Sequence, residues 1–181
     1  AAKSFQAFVQ ETDNLLAFDN DAWRMGGESV EGSYDAINEE IVRRFGVLFG
    51  AGEIQEDNDI AESVVDASEI INTLAGGGVT TVGYAAEEVP VQTKRGGILA
   101  RIPGGRKNEQ FQDSANNTNR ITSLIRKATL GRLTLPCEIK GAERALVVVS
   151  GPPNYLNRKG IEKGRRWIEE VTGSMEVRGG D

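Results

Sequence analysis

The chain has 181 residues, a net charge of −6, 39% hydrophobic and 27% charged residues, which is enough apolar material for a core, while the acidic excess gives nucleic-acid binding no support. It contains no His and one Cys, Cys137, which removes Ser-His, Cys-His and imidazole–metal chemistry, a zinc site and an intrachain disulfide framework, and fits a reducing compartment. No apolar run approaches the ~20 residues of a membrane helix, and the first residues lack the charged head and apolar middle of a signal peptide, so a cytoplasmic protein is expected.

Residues 1–12 read as the end of a helix with Phe5, Phe8 and Val9 on one face. A start without Met, in mid-helix, predicts a piece of a longer protein. Residues 14–18, NLLAF, form a short apolar run that fits a buried strand. Asp19, Asn20 and Asp21 follow at its carboxyl end, where α/β proteins hold ligands and where polar residues also simply build turns. Both readings are open for Asn20.

Residues 33–49, SYDAINEEIVRRFGVLF, predict a helix. Tyr34, Ile37, Ile41, Phe45 and Leu48 recur at three- and four-residue steps as one apolar stripe. Asp35 is placed in the first turn and Gly50 at the stop. An acidic connector, 53–59, leads to VVDASEIINTLAGGG at 64–78. Asp66 can cap a helix there, Glu69 lies three residues on, and Ile70, Ile71 and Leu74 face inward. The glycine cluster at 76–78 stops that helix and lacks the Lys-Ser/Thr of a phosphate loop.

Residues 79–86, VTTVGYAA, read as a strand. The stretch 87–117 is rich in Gly, Pro, Lys and Arg and reads as a solvated loop or a partner-binding one. Residues 118–130 predict a helix capped by Thr118, with Ile121, Leu124, Ile125 and Ala128 inward and Arg120, Arg126 and Lys127 outward. Residues 133–139 contain Pro136, which suits an edge or a crossover. Residues 145–149, ALVVV, give the strongest strand signal in the chain. A last helix begins at 156 or 157 and runs to 172, with Ile161, Trp167, Ile168 and Val171 inward. Its Gly164 suggests close approach to a strand. A strand starts at 175–177, and the sheet is expected to continue past the end of the chain. The alternation of helix and strand predicts a layered α/β domain.

Four segments in order carry a resemblance. FDNDAW at 18–23 is similar to the DNEAL-type segment of tubulins and the PND segment of FtsZ. Tyr34-Asp-Ala-Ile-Asn38 resembles the Tyr-x-x-x-Asn opening of the tubulin core helix. VVDASEI at 64–70 resembles the loop that is NVDLTEF in α-tubulin and NVDFADV in FtsZ. ERALVVVSGPP at 143–153 resembles the GVLVNITGGPD strand and turn of FtsZ. With RITSLIRKATLGRLTLPC and GSMEVRGGD added, the chain most resembles the archaeal tubulin-like group called CetZ, within the tubulin/FtsZ superfamily.

The resemblance implies an α/β fold in which a core helix leads into a layered C-terminal domain, with a mixed sheet packed against helices. It implies a remnant of a GTP-binding domain at 1–31, the core helix at 32–52 and an activation domain at 53–181. It implies a GTPase that binds GTP/GDP, with Mg2+ possible in the intact protein, and that self-associates head to tail into protofilaments serving cell shape or division. Asn20 and Asn38 would hydrogen-bond the guanine edge and Tyr34 would stack on its face. This suits a base that needs an aromatic plane and amides that donate and accept. Asp66 and Glu69 would enter the next subunit's site and align the attacking water. Read locally, Asp66 and Glu69 are a capping pair, and Tyr34 is a core residue. A non-catalytic interaction module recruiting partners through its basic loop is the alternative. Two departures stand out. Val64 replaces the Asn that precedes the loop Asp in FtsZ and tubulin, and the phosphate-cradling turns of the family's first half are absent from this sequence.

Overall fold

A computed structural model describes residues 2–24, 29–50, 65, 67–89 and 105–180. In chain order the elements are α1 (Ala2–Glu11), β1 (Leu15–Leu16), α2 (Asn20–Trp23), α3 (Val30–Phe49), α4 (Ala67–Leu74), β2 (Val79–Thr80), α5 (Gly105–Leu130), β3 (Arg144–Val148), a 3-10 turn (Pro153–Tyr155), α6 (Arg158–Thr172) and β4 (Glu176–Gly180).

The apolar run at 145–149 forms β3, as its composition predicts. It pairs in parallel with β4, Arg144 opposite Glu176 and Val148 opposite Gly180. Parallel neighbours need a long crossover, and α6 supplies it. Asn157 caps α6, its side-chain oxygen accepting from Gly160 N at 2.7 Å. Gly173 ends it in the left-handed region at φ 75°, which costs glycine little. Val147, Val177, Ile161, Ile168, Ile121 and Ile125 form the core, with Ala145, Val149 and Trp167 packed around it. The layers are α4 on the β3–β4 pair, α6 on the same pair, and α5 on α6.

Gly164 permits a close approach, but to a helix rather than to a strand. A Cβ there would lie 2.2 Å from Ile125 Cδ1, and one at Gly160 would lie 3.0 Å from Ile121 Cβ. Positions 121 and 125 of α5 therefore face 160 and 164 of α6 in the same order, so the two helices run parallel.

The second pair, β1 with β2, is also parallel, with Leu15 opposite Val79 and Leu16 opposite Thr80. It is much shorter than the strands expected over 14–18 and 79–86. Past Thr80 the ladder is replaced by hydroxyls. Thr134 Oγ1 accepts from Val82 N at 2.9 Å, Thr81 Oγ1 accepts from Leu135 N at 3.0 Å, and Thr134 N donates to Val82 O at 3.0 Å. Thr134 is wholly buried, so these bonds satisfy groups that water does not reach. The 133–139 stretch is accordingly a crossover segment, not a strand.

Two helix starts differ from expectation. α3 begins at Val30, capped by Ser29, so Glu31 rather than Asp35 occupies the first turn. α5 begins at Gly105, and Thr118 lies inside it, donating to Ser114 O at 2.8 Å and to Asn157 Oδ1 at 3.2 Å. The polar run 105–117 has no apolar stripe to betray a helix.

Gly164→Ala is expected to lose roughly 1–2 kcal/mol of stability in urea unfolding, because overpacking outweighs the gain in helix propensity. Combining it with Ile125→Val, which deletes the clashing δ methyl, should cost less than the sum of the two single changes; additivity would contradict the seam. At the edge of β4, a hydrogen bond from Arg178, with Arg144 on the other side, holds the Glu176 carboxyl below its ordinary pKa. A depressed pKa contributes stability above the unfolded value and loses it as pH falls through the folded one. Glu176→Gln should therefore be slightly less stable than the parent at neutral pH, and the gap should close in the acidic carboxylate range.

Candidate functional site

α3 carries the candidate base contacts. Ser33 and Ile37 are buried on one side, and Arg44 is buried seven residues on. Tyr34 and Asn38 sit one position further round and are exposed, Tyr34 at 46%. Four residues apart, they share a face. Asn38 lines a shallow open concavity with Asp35, Glu39, Val42 and Arg43. Tyr34 is thus not a core residue here. Neither side chain has a hydrogen-bond partner among the described residues.

Asn20 opens the four-residue helix α2 and is exposed. Its neighbour Asp19 takes the turn-building role, accepting from Asp21 N at 3.0 Å and Ala22 N at 3.4 Å. The Asn20 amide is left uncommitted among the described residues. An aromatic face and two amides with free donors and acceptors fit a planar heterocycle.

Asp66 and Val64 lie outside the described residues. Glu69 is in the first turn of α4, between buried Val65 and Ile70. Its carboxylate is half-buried and makes no hydrogen bond or ion pair among the described residues. The helix dipole favours a negative charge there. No hydrogen bond, ion pair or ring contact among the described residues joins Glu69 to Asn20, Tyr34 or Asn38. Among the described residues, Glu69 and the three candidate base contacts are therefore on separate elements with no direct tie between them.

One feature of the site's surroundings escaped sequence reasoning. The Arg44 guanidinium lies 4.3 Å from the Trp23 ring centroid and 5.6 Å from that of Tyr84. Arg132, from the segment after α5, also lies 4.3 Å from the Trp23 ring. Arg44 forms an ion pair with Glu40, which also pairs with Arg43 at 2.8 Å. The available signal was a charge seven residues past Ile37, on the side of α3 that packs.

Of the basic loop expected over 94–107, residues 94–104 lie outside the described residues, and 105–107 open α5 instead of belonging to a loop. Of the three cations expected on the outer side of 118–130, Arg120, Arg126 and Lys127, Arg120 turns back to Glu87 at 3.1 Å and over Tyr155, and Arg126 lies over Trp167. Two of the three are therefore engaged within the chain. Among the described residues no three His, Cys, Asp or Glu side chains gather as a metal site, and no helix is long and apolar enough to cross a membrane.

Comparison with known proteins places this geometry. Residues 27–181 match the family model of the tubulin-like CetZ C-terminal domain. Tubulin-like protein CetZ1 of Haloferax volcanii is 71% identical over all of this chain, which spans 46% of that protein. The structure resembles the GDP-bound monomer of CetZ1 from Haloferax volcanii with a TM-score of 0.77 at 63% identity, covering 100% of this chain and 44% of that one. It resembles the GTPγS-bound protofilament of CetZ2 from the same organism with a TM-score of 0.74 at 41% identity, covering 99% of this chain and 44% of that one. The chain thus spans about half the length of these relatives. With the family model covering most of its residues and the α/β fold matched from end to end, the chain belongs to the tubulin-like CetZ family.

Proposed function

We propose that this chain is the second half of a cytoplasmic, tubulin-like GTPase that polymerises head to tail and serves cell shape or division. Residues 1–31 complete its nucleotide domain, 32–52 form the core helix, and 53–181 form the activation domain. Tyr34 stacks on the guanine, and Asn20 and Asn38 hydrogen-bond its edge. The observation that carries the reading is the pairing of Tyr34 and Asn38, exposed and without hydrogen-bond partners among the described residues, on one face of a helix whose other side is packed. The family supports it: one relative is a GDP-bound monomer and another a GTPγS-bound protofilament.

Hydrolysis is assigned to the acids at the start of α4, acting on the nucleotide of the neighbouring subunit. A phosphoryl transfer needs a positioned water more than a strong base. Glu69, held at a helix start without a side-chain partner among the described residues, is suited to orient that water, together with Asp66. Supplying the acids from the next subunit makes turnover depend on assembly, and a head-to-tail contact that does not close gives a filament.

In the full-length protein, Glu69→Gln should lower GTP turnover under polymerising conditions by about 10²–10⁴-fold, the usual contribution of a positioned acid or base. Unchanged turnover would end the catalytic assignment. Mixing the Glu69→Gln protein with an Asn20→Ala/Asn38→Ala protein should restore part of the turnover, because one contributes an intact base pocket and the other an intact acid. No recovery would argue against action between subunits. This chain by itself should bind GTP no tighter than about millimolar, since a base pocket without phosphate contacts leaves most of the ligand unheld. Tight binding in a titration would contradict the division of the site.

A further inference from the structure

α2 is only four residues long and cannot orient itself, since a single turn is unstable alone. The long-range ties that hold it lead to two places. To the C-terminal side, Asp19 N donates to Thr134 O at 2.7 Å, Trp23 Nε1 donates to Leu133 O at 3.1 Å, and Arg132 donates to Ala22 O. To the core helix, the tie is Arg44 against the Trp23 ring. Arg132 meets the same ring.

This arrangement is costly for a packing contact. The Arg44 side chain is 4% exposed, and its Nε is buried without a partner among the described residues. Two guanidiniums share one indole, with a single carboxylate, Glu40, serving Arg44 and Arg43. An apolar side chain of similar shape would fill the space without the desolvation cost. A buried polar group left unsatisfied in this way calls for a role.

We infer that the Arg44–Trp23–Arg132 stack is a positioning joint, which sets the Asn20 amide for the nucleotide base and ties that setting to both the core helix and the 132–134 segment. The inference rests on the guanine-binding reading above. Asn20 lies one turn from Trp23 on α2, so a tilt of the indole moves the amide. Arg44 and Arg132 touch no base themselves; they act through Trp23. The base contact thus depends on residues more than a hundred positions apart, and nucleotide affinity and the placement of the C-terminal body become linked quantities.

The test is a double-mutant cycle on GDP affinity in the full-length protein. Arg132 is exposed, so Arg132→Gln leaves the core intact. Arg132→Gln and Asn20→Ala should each weaken GDP by about five- to tenfold, the worth of a misplaced or lost hydrogen bond. The double variant should be no weaker than Asn20→Ala alone, because the joint acts only through that amide. Arg132→Lys should recover part of the affinity by restoring a cation over the ring. Multiplying single effects would mean a general structural role and would overturn the joint. So would unchanged affinity in Arg132→Gln while Asn20→Ala weakens binding. A full-length protein that binds GDP but is indifferent to Asn20→Ala would instead overturn the base assignment, and the joint with it.

Discussion

Two helices cannot bring their backbones together while side chains stand between them. Gly160 and Gly164 remove those side chains from α6, and Ile121 and Ile125 of α5 fill the vacated groove. The rest of the arrangement follows from that seam. α6 must cover β3 and β4 with Ile161 and Ile168 while receiving α5 on an adjoining face. Because the seam fixes α5, it also fixes what lies against the carboxyl half of α5. Gly83 packs there so tightly that a Cβ would lie 2.0 Å from Ala128 O, which leaves that position no alternative residue. The 81–84 segment is thereby held beside 133–135. Those residues reach α2 through Leu133 and Thr134, and α2 opens with Asn20. A packing device in the last third of the chain therefore governs where a candidate ligand contact near its amino end is placed.

The links along that route change character as they leave the core. Inside the body they are aliphatic and tolerant of small shifts. Between the 81–84 segment and the crossover they are hydroxyl bonds from Thr81 and Thr134. At α2 they are an indole N–H, backbone amides and two guanidiniums. Hydrogen bonds weaken steeply with angle, so the outer links transmit orientation where the inner ones transmit only proximity. A helix of one turn needs orientation above all.

The elements with a strong apolar period were legible from sequence: β3, α6 and the carboxyl half of α5. The alternation or stripe at these places is the packing itself. Where side chains other than aliphatics do the holding, the reading failed in a consistent direction. The amino half of α5 has no apolar face, so its helix was invisible and Thr118 was mistaken for a cap. The continuation of β2 is satisfied by the hydroxyl and the backbone N–H of Thr134, more than fifty residues away, so β-branched composition overstated the strand. Gly164 announced a close approach, but local sequence does not say to which partner. Of the site residues, the Tyr34–Asn38 spacing gave their shared face, whereas their exposure required the structure. Arg44 stands outside the apolar stripe of α3, and its burial required the structure, because sequence pattern alone does not distinguish a buried charge from a solvated one.

The burial of Arg44 bears on mechanism. If the side of α3 at position 44 were simply greasy, α2 could slide or rock against it at little cost, since dispersion has no preferred direction. A guanidinium stacked on an indole resists such motion, because the attraction falls as the cation leaves the ring face. Burial sharpens this by removing the water that would otherwise compensate the displaced charge. Glu40 adds a second constraint, since Arg44 must stay within reach of its carboxylate while remaining over the ring. The stack therefore has a narrow range of acceptable geometries. A narrow range is what a contact needs if a change in the bodies on either side is to be felt at a small amide one turn away, rather than absorbed along the path.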